Sequence, residues 1–158
     1  MLTGQELIER LELLRHPEGG WYAEIHRSNE TVLRADGARR SAGTLIYFLL
    51  EAGDCSRWHR VAATEHWTHV AGGPLALHRF GGKHSVATLG DVSAGYTPAL
   101  TVAPDVWQAA LPLGDWTLVT CAVSPGFDFA DFELIEAGSP DRSRLAALEA
   151  PPQLLGEG

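Results

Sequence analysis

The hydrophobic pattern of this chain changes period early. Leu7, Leu11 and Leu14 recur on one face of residues 3–15, and Thr3 with Glu6 has the form of a capping box, so a helix is predicted there. Pro17 and Gly19-Gly20 end it. Beyond Gly20 the pattern breaks into short strand-like runs at 21–27, 44–51, 56–61, 65–70, 75–80, 84–89, 106–110 and 116–124. Gly72-Gly73-Pro74, Gly81-Gly82 and Gly114-Asp115 read as hairpin turns, and Pro104-Asp105 as a further turn. Short strands at close, even spacing predict an all-β sandwich or barrel rather than βαβ units. Ser139 as N-cap, Pro140 at the first position and Asp141 in the first turn predict a short helix over 140–149. Residues 1–150 are expected to form one domain, and 151–158 a flexible tail.

Composition narrows the function classes. At 158 residues the chain is long enough for a real core, and 45% hydrophobic with 20% charged residues is ordinary for a globular protein. A net charge of −8 argues against nucleic acid and anionic membrane surfaces, both of which require a basic footprint. No apolar run reaches the length of a membrane span, and the first residues lack the basic and apolar regions of a signal peptide. A cytoplasmic location is expected, with Cys55 and Cys121 as reduced thiols, Cys121 inert within a strand.

The chemistry concentrates in one hairpin. Alternation along 56–61 groups Arg57, His59 and Val61 on one face, and along 65–70 it groups Glu65, Trp67 and His69. Imidazole, carboxylate and indole converging on one cavity suit either a metal site or an acid/base pocket. His66 and His78 read as surface or sheet residues, and Phe127 and Phe129 as core seals. Glu18 sits in a glycine turn, as a helix stop, a dimer contact or a pocket rim.

Gly53, His59, Glu65 and Gly72 stand at the spacings of the first cupin motif, G-x5-H-x-H-x3/4-E-x6-G, with Val61 in place of the second His. The flanks resemble one branch of the cupin superfamily, the "cupin five" domain-of-unknown-function family. The similarity runs through His16-Pro17-Glu18-Gly19-Gly20-Trp21-Tyr22, the strand Thr44–Leu50, Ser56–Val61, Glu65-His66-Trp67, Val106-Trp107-Gln108-Ala109 and Val123–Phe129, covering residues 7 to 136. The resemblance implies an all-β jelly-roll barrel (a double-stranded β-helix) like that of dTDP-sugar epimerases, and a homodimer; Trp21–Arg27 is the candidate contact strand. It implies no particular reaction.

The superfamily's second motif maps onto Pro98–Pro112, where only Pro104 matches: Val106 replaces a Gly and Ala109 replaces a ligand His. With Val61 and Ala109 unable to coordinate, no cofactor is expected, the alternative being a divalent transition metal held by His59, Glu65 and His69. The leading expectation is a metal-independent epimerase- or isomerase-like enzyme acting on a small polar molecule. His59, Glu65 and Tyr47 would be catalytic, with Arg57, Trp67, His69, Trp107 and Gln108 binding the ligand. A non-catalytic binding module and a metal-dependent oxygenase or isomerase are the alternatives, since one fold hosts many functions.

Overall fold

The computed structural model describes residues 1–156. Helix α1 (Gly4–Arg10) carries the full capping box between Thr3 and Glu6. It is shorter than predicted. Glu12 takes a left-handed backbone (φ 54°), and Leu14–Arg15 become a two-residue strand, β1, with Leu14 exposed rather than on the helix face. The strands that follow are β2 (Trp21–Arg27), β3 (Thr31–Leu33), β4 (Arg39–Ser41), β5 (Thr44–Glu51), β6 (Ser56–Val61), β7 (Thr64–Gly72), β8 (Leu75–Phe80), β9 (His84–Leu89), β10 (Ala99–Val102), β11 (Trp107–Pro112), β12 (Trp116–Ser124) and β13 (Phe132–Leu134). Helix α2 covers Pro140–Ala146, with Ser139 capping it and Pro140 in its first turn.

Strands pair antiparallel in two sheets, β1-β2-β5-β12-β7-β10 and β13-β6-β11-β8-β9, plus the small β3-β4 hairpin. The sheets face each other as a jelly roll. Inward side chains of Phe48, Leu50, Trp67, Leu75, Leu77 and Val119 fill one end of the interior. The outer face of β5 is apolar too, because α1 covers it: Leu7, Ile8 and Leu13 pack there on Leu49 and Leu118. The outer face of β6 and β11 is covered by the C-terminal segment, where Trp58 and Trp107 pack against Ile135, Leu145 and Leu154.

That packing corrects the expected tail. Residues Pro152–Leu155 form a 3-10 turn with Leu154 fully buried, and Arg142 donates to the carbonyls of Leu155 and Gly156. Residues 157–158, also assigned to that tail, lie outside the described residues. Among the described residues no helix is long and apolar enough to cross a membrane.

Candidate functional site

The other end of the barrel interior is open, a cavity of about 400 Å³. The strands that form the core also line it, two residues further along: Thr44 and Ile46 of β5, His59 and Val61 of β6, Glu65 of β7, and Cys121 and Val123 of β12. Phe127, Phe129 and Phe132 close one side. Asp131 holds that aromatic segment in place. Its buried carboxylate accepts from Arg40 Nε (2.8 Å) and Nη2 (2.9 Å) and pairs with Arg34 Nη1 (2.9 Å), both guanidinium groups coming from the β3–β4 region.

Two cavity residues come from a turn rather than a strand. His16 and Glu18 are both buried and line the cavity beside His59 and Glu65. The turn is closed by His16 N–H to Gly20 O (2.9 Å) and Gly19 N–H to His16 O (3.0 Å). Asp54 accepts from Gly20 N–H (3.1 Å) and from Arg15. Gly19 and Gly20 both have positive φ (107° and 76°), and a side chain on Gly19 would collide with the Cys55 carbonyl. Only glycine lets the chain double back here and push Glu18 inward.

The hydrogen-bond network assigns the tautomers of the two histidines. His59 Nδ1 lies 2.7 Å from the Arg57 carbonyl, which can only accept, so Nδ1 carries the proton and Nε2 is a lone pair. The same Nδ1 is 3.0 Å from Glu18 Oε2. His16 is the reverse: its Nδ1 accepts from Glu18 N–H (3.1 Å), so its proton is on Nε2. Glu18 Oε1 approaches that same His16 Nδ1 at 3.2 Å. Two lone pairs face each other unless the carboxyl is protonated, so this contact is not an ion pair. Burial raises the Glu18 pKa to about 8, against the opposing hydrogen bond from Ser56 Oγ–H and the nearby Arg57 charge. Burial, reinforced by His59, lowers His16 to about 3. Burial likewise lowers His59, although Glu65 pulls it the other way.

Glu65 is held differently. Gln108 Nε2 donates to its Oε2 (2.8 Å), and Trp67 Nε1–H donates to Gln108 Oε1 (2.8 Å). Because an indole can only donate, the chain Trp67→Gln108→Glu65 fixes which way the amide points. Burial raises Glu65 to about 7; His59 lowers it and Glu18 adds to the rise. Cys121 lines the cavity beside Glu65, and burial holds its thiol protonated.

The placement of the sequence-predicted residues is uneven. His59 and Glu65 line the cavity, and Gln108 reaches Glu65 from behind. Trp67 is inside the barrel but within the packed end. Tyr47 does not reach the cavity: it lies between the inward Ile46 and Phe48, so it points outward and packs with the α1 cluster. Trp107 also faces outward, on the C-terminal segment, with Arg60 over its ring. Its neighbour Gln108 faces inward, and adjacent strand residues cannot share a face. The same alternation sends Ala109 outward, so Gln108, opposite His59, takes the inward place that the second-motif alignment had given to Ala109. Arg57 turns from the cavity and donates to the carbonyls of Pro17 (2.5 Å) and Glu18 (3.4 Å). His69 Nε2 faces the Gly72 and Gly73 carbonyls (3.2 and 3.3 Å) at the far end of β7. Phe127 and Phe129 line the cavity rather than seal the core, and His78 is buried against His84.

A jelly roll with His59 and Glu65 aimed into its interior defines a cupin. The chain belongs to the cupin-superfamily family DUF985, whose model matches residues 5–135. A solved hypothetical protein from Leishmania major is similar at 32% identity and a TM-score of 0.83, over 98% of this chain and 96% of that one. A protein from Shewanella oneidensis is similar at 35% identity and a TM-score of 0.79, over 94% and 90%. Oxalate decarboxylase from Bacillus subtilis shares the fold alone, at 14% identity and a TM-score of 0.58, over 84% of this chain and 33% of that one. No curated protein matches this chain.

Proposed function

We propose that the cavity binds a small polar molecule and isomerises it by moving a proton, with His59 as base and Glu65 as acid. The observation that carries this reading is that His59, with Nε2 unprotonated, and the Glu65 carboxyl line one cavity, with Glu18 beside the imidazole. His59 Nε2 takes a proton from the bound molecule while protonated Glu65 delivers one elsewhere on it. The Arg57 carbonyl, accepting from His59 Nδ1–H at 2.7 Å, holds the imidazole in the tautomer that leaves Nε2 free, and Glu18 Oε2 lies 3.0 Å from the same Nδ1. A base with a lowered pKa and an acid near 7 are both in the required state around neutral pH. Turnover should therefore decline as pH rises through about 7, where Glu65 loses its proton.

The test is solvent-deuterium exchange into a panel of sugars and hydroxy-acids, followed by NMR. His59→Asn should lower exchange by roughly 100-fold or more while leaving ligand binding largely intact. Undiminished exchange in that variant eliminates His59 as the base. Binding with no exchange in the unmodified protein favours a binding module instead.

The residues do not fit a tightly held transition metal. Among the described residues no three His, Cys, Asp or Glu side chains group to hold a metal ion. His69 is turned toward backbone carbonyls, His16 Nδ1 already accepts a backbone N–H, and Val61 offers no donor. Elemental analysis should find well under one metal per chain; one equivalent, lost in His59→Ala, would reverse this reading.

A homodimer fits the open edge of β2. β1 pairs only with Trp21 and Tyr22, leaving the rest of that edge uncovered, and an exposed strand edge invites pairing. Sedimentation at micromolar concentration should give twice the 17.1 kDa chain mass.

A further inference from the structure

The cavity holds little unopposed positive charge. Among the described residues Arg27 is the only guanidinium lining it, and its three nitrogens are engaged: Nε and Nη2 on Glu24 (3.2 and 2.6 Å) and Nη1 on the Phe127 carbonyl (3.0 Å). Arg57, the other nearby cation, faces the turn carbonyls. Beyond Glu24, which is paired with Arg27, three further carboxyls line the cavity, Glu18, Glu65 and Asp128. His59 lines the cavity, and its Nε2 makes no hydrogen bond among the described residues, so an acceptor at the cavity wall is left without a donor. Beside it lie Phe127, Phe129 and Phe132, with ring centroids 5.0 to 6.0 Å apart, and Phe132 stacks on His59 itself (5.6 Å). Aromatic faces attract cations, and a cation seated beside Glu65 or Glu18 favours the ionised carboxylate over the neutral form that burial otherwise favours.

We infer that the cavity selects a small protonated amine, whose N–H groups reach His59 Nε2 and the Glu65 carboxyl while its carbon skeleton lies against the phenyl rings. This rests on the reading that the cavity holds a small molecule, and it names the chemical class. An organic ammonium suits the site better than a metal ion, which needs several donors converging on one point. It suits the site better than a carboxylate or phosphate, which would meet acceptors and acidic side chains with no free cation to answer them. A primary amine also supplies the donors that the His59 acceptor lacks.

The test is titration calorimetry of the full chain with three ligands of nearly one shape: benzylammonium, benzyl alcohol and benzoate. Benzylammonium should bind about 10-fold or more tightly than benzyl alcohol, and benzoate more weakly than either. Glu65→Gln should lower benzylammonium affinity about 10-fold while shifting benzyl alcohol by no more than about 3-fold. Should that buried variant fail to fold, Phe129→Leu, at a half-exposed position, should weaken benzylammonium more than benzyl alcohol. Equal or tighter binding of the alcohol or of benzoate overturns the amine assignment and leaves the small-molecule reading standing. No binding of benzylammonium up to about 10 mM overturns the assignment as well.

Discussion

One barrel interior has two ends, and the same strands build both to different rules. On β7, Trp67 belongs to the packed end and Glu65, two residues and about 7 Å away, to the cavity. On β5, Phe48 and Leu50 pack, Thr44 lines space and Ile46 touches both; on β12, Val119 packs, Cys121 sits at the boundary and Val123 faces the cavity. The packed end is apolar apart from one satisfied polar chain. The open end buries two histidines and two glutamates with no Lys or Arg ion-paired to any of them. Such a group is costly while charged and unpaired, and without a bound ligand burial favours the neutral form of all four. Stability is therefore concentrated at one end, and the other carries buried ionisable groups at a standing cost. Gln108 sits on the boundary and serves both, fixing Glu65 with one end of its amide and satisfying Trp67 with the other.

The largest expected effect lies in the packed end. Trp67→Ala should cost about 3–5 kcal/mol, because the site is surrounded by buried Leu and Phe that cannot collapse into the space. Denaturant unfolding measures it. A loss comparable to that of a surface truncation would mean the two ends are not different in kind.

The pH dependence of stability comes next, and it tests the open end. Glu18 and Glu65 have folded pKa values of about 8 and 7, raised above an unfolded value near 4.5. The folded state holds these protons more tightly, so their contribution is fully present below pH 4.5 and is lost as pH rises through 7 to 8. His16, lowered to about 3, works in the opposite sense and weakens the fold as pH falls below 6.5. In Glu65→Gln the loss of stability between pH 5 and pH 8 should shrink by on the order of 2 kcal/mol. Unfolding curves at the two pH values decide it; an unchanged pH slope would mean that Glu65 is ionised at no cost.

A smaller effect probes the boundary. Gln108→Leu keeps the volume but leaves Trp67 Nε1–H and Glu65 without their partner, at about 1–2 kcal/mol. Near-UV circular dichroism of the indole should change with it. Stability equal to the unmodified protein would mean that the chain from Trp67 to Glu65 is incidental.

Much of this division was legible in the residues. Strands 21–27, 44–51, 56–61, 75–80, 84–89 and 116–124 are found where alternation and turn chemistry predict them. His59 and Glu65 stood out because their spacing on a hairpin fixes a shared face. Legibility failed where both faces of a strand are apolar. In Thr44–Leu50 nothing in the pattern shows that Tyr47 faces out, because α1 covers that side. Trp107 and Gln108 are adjacent, so alternation lets only one of them face inward; the C-terminal segment that buries Trp107 is remote in sequence. His16 and Glu18 lie in a turn, where period-two reasoning assigns no face. The available signal was Glu18 directly before two glycines, a chain reversal tight enough to drive an acidic side chain inward. The short strands β3, β4, β10 and β13 are set by tertiary pairing more than by local pattern, and sequence reasoning passed over them.

The smallest stability effect should be at the cavity mouth, and its smallness sharpens the comparison. Phe129 is 54% exposed and belongs to none of the buried core clusters, so Phe129→Ala removes little buried surface. Its neighbours Phe127 and Phe132 still close the wall, which Asp131 continues to anchor through Arg34 and Arg40. Unfolding stability should stay within about 0.5 kcal/mol of the unmodified protein. The ring removed lines the cavity, so on the proposed reading ligand affinity should fall where stability does not. An aromatic truncated in the packed end should destabilise the fold strongly; one truncated at the mouth should leave it as stable as before. If Phe129→Ala instead destabilised the fold as Trp67→Ala does, the aromatic wall would be core, and the cavity a gap in its packing.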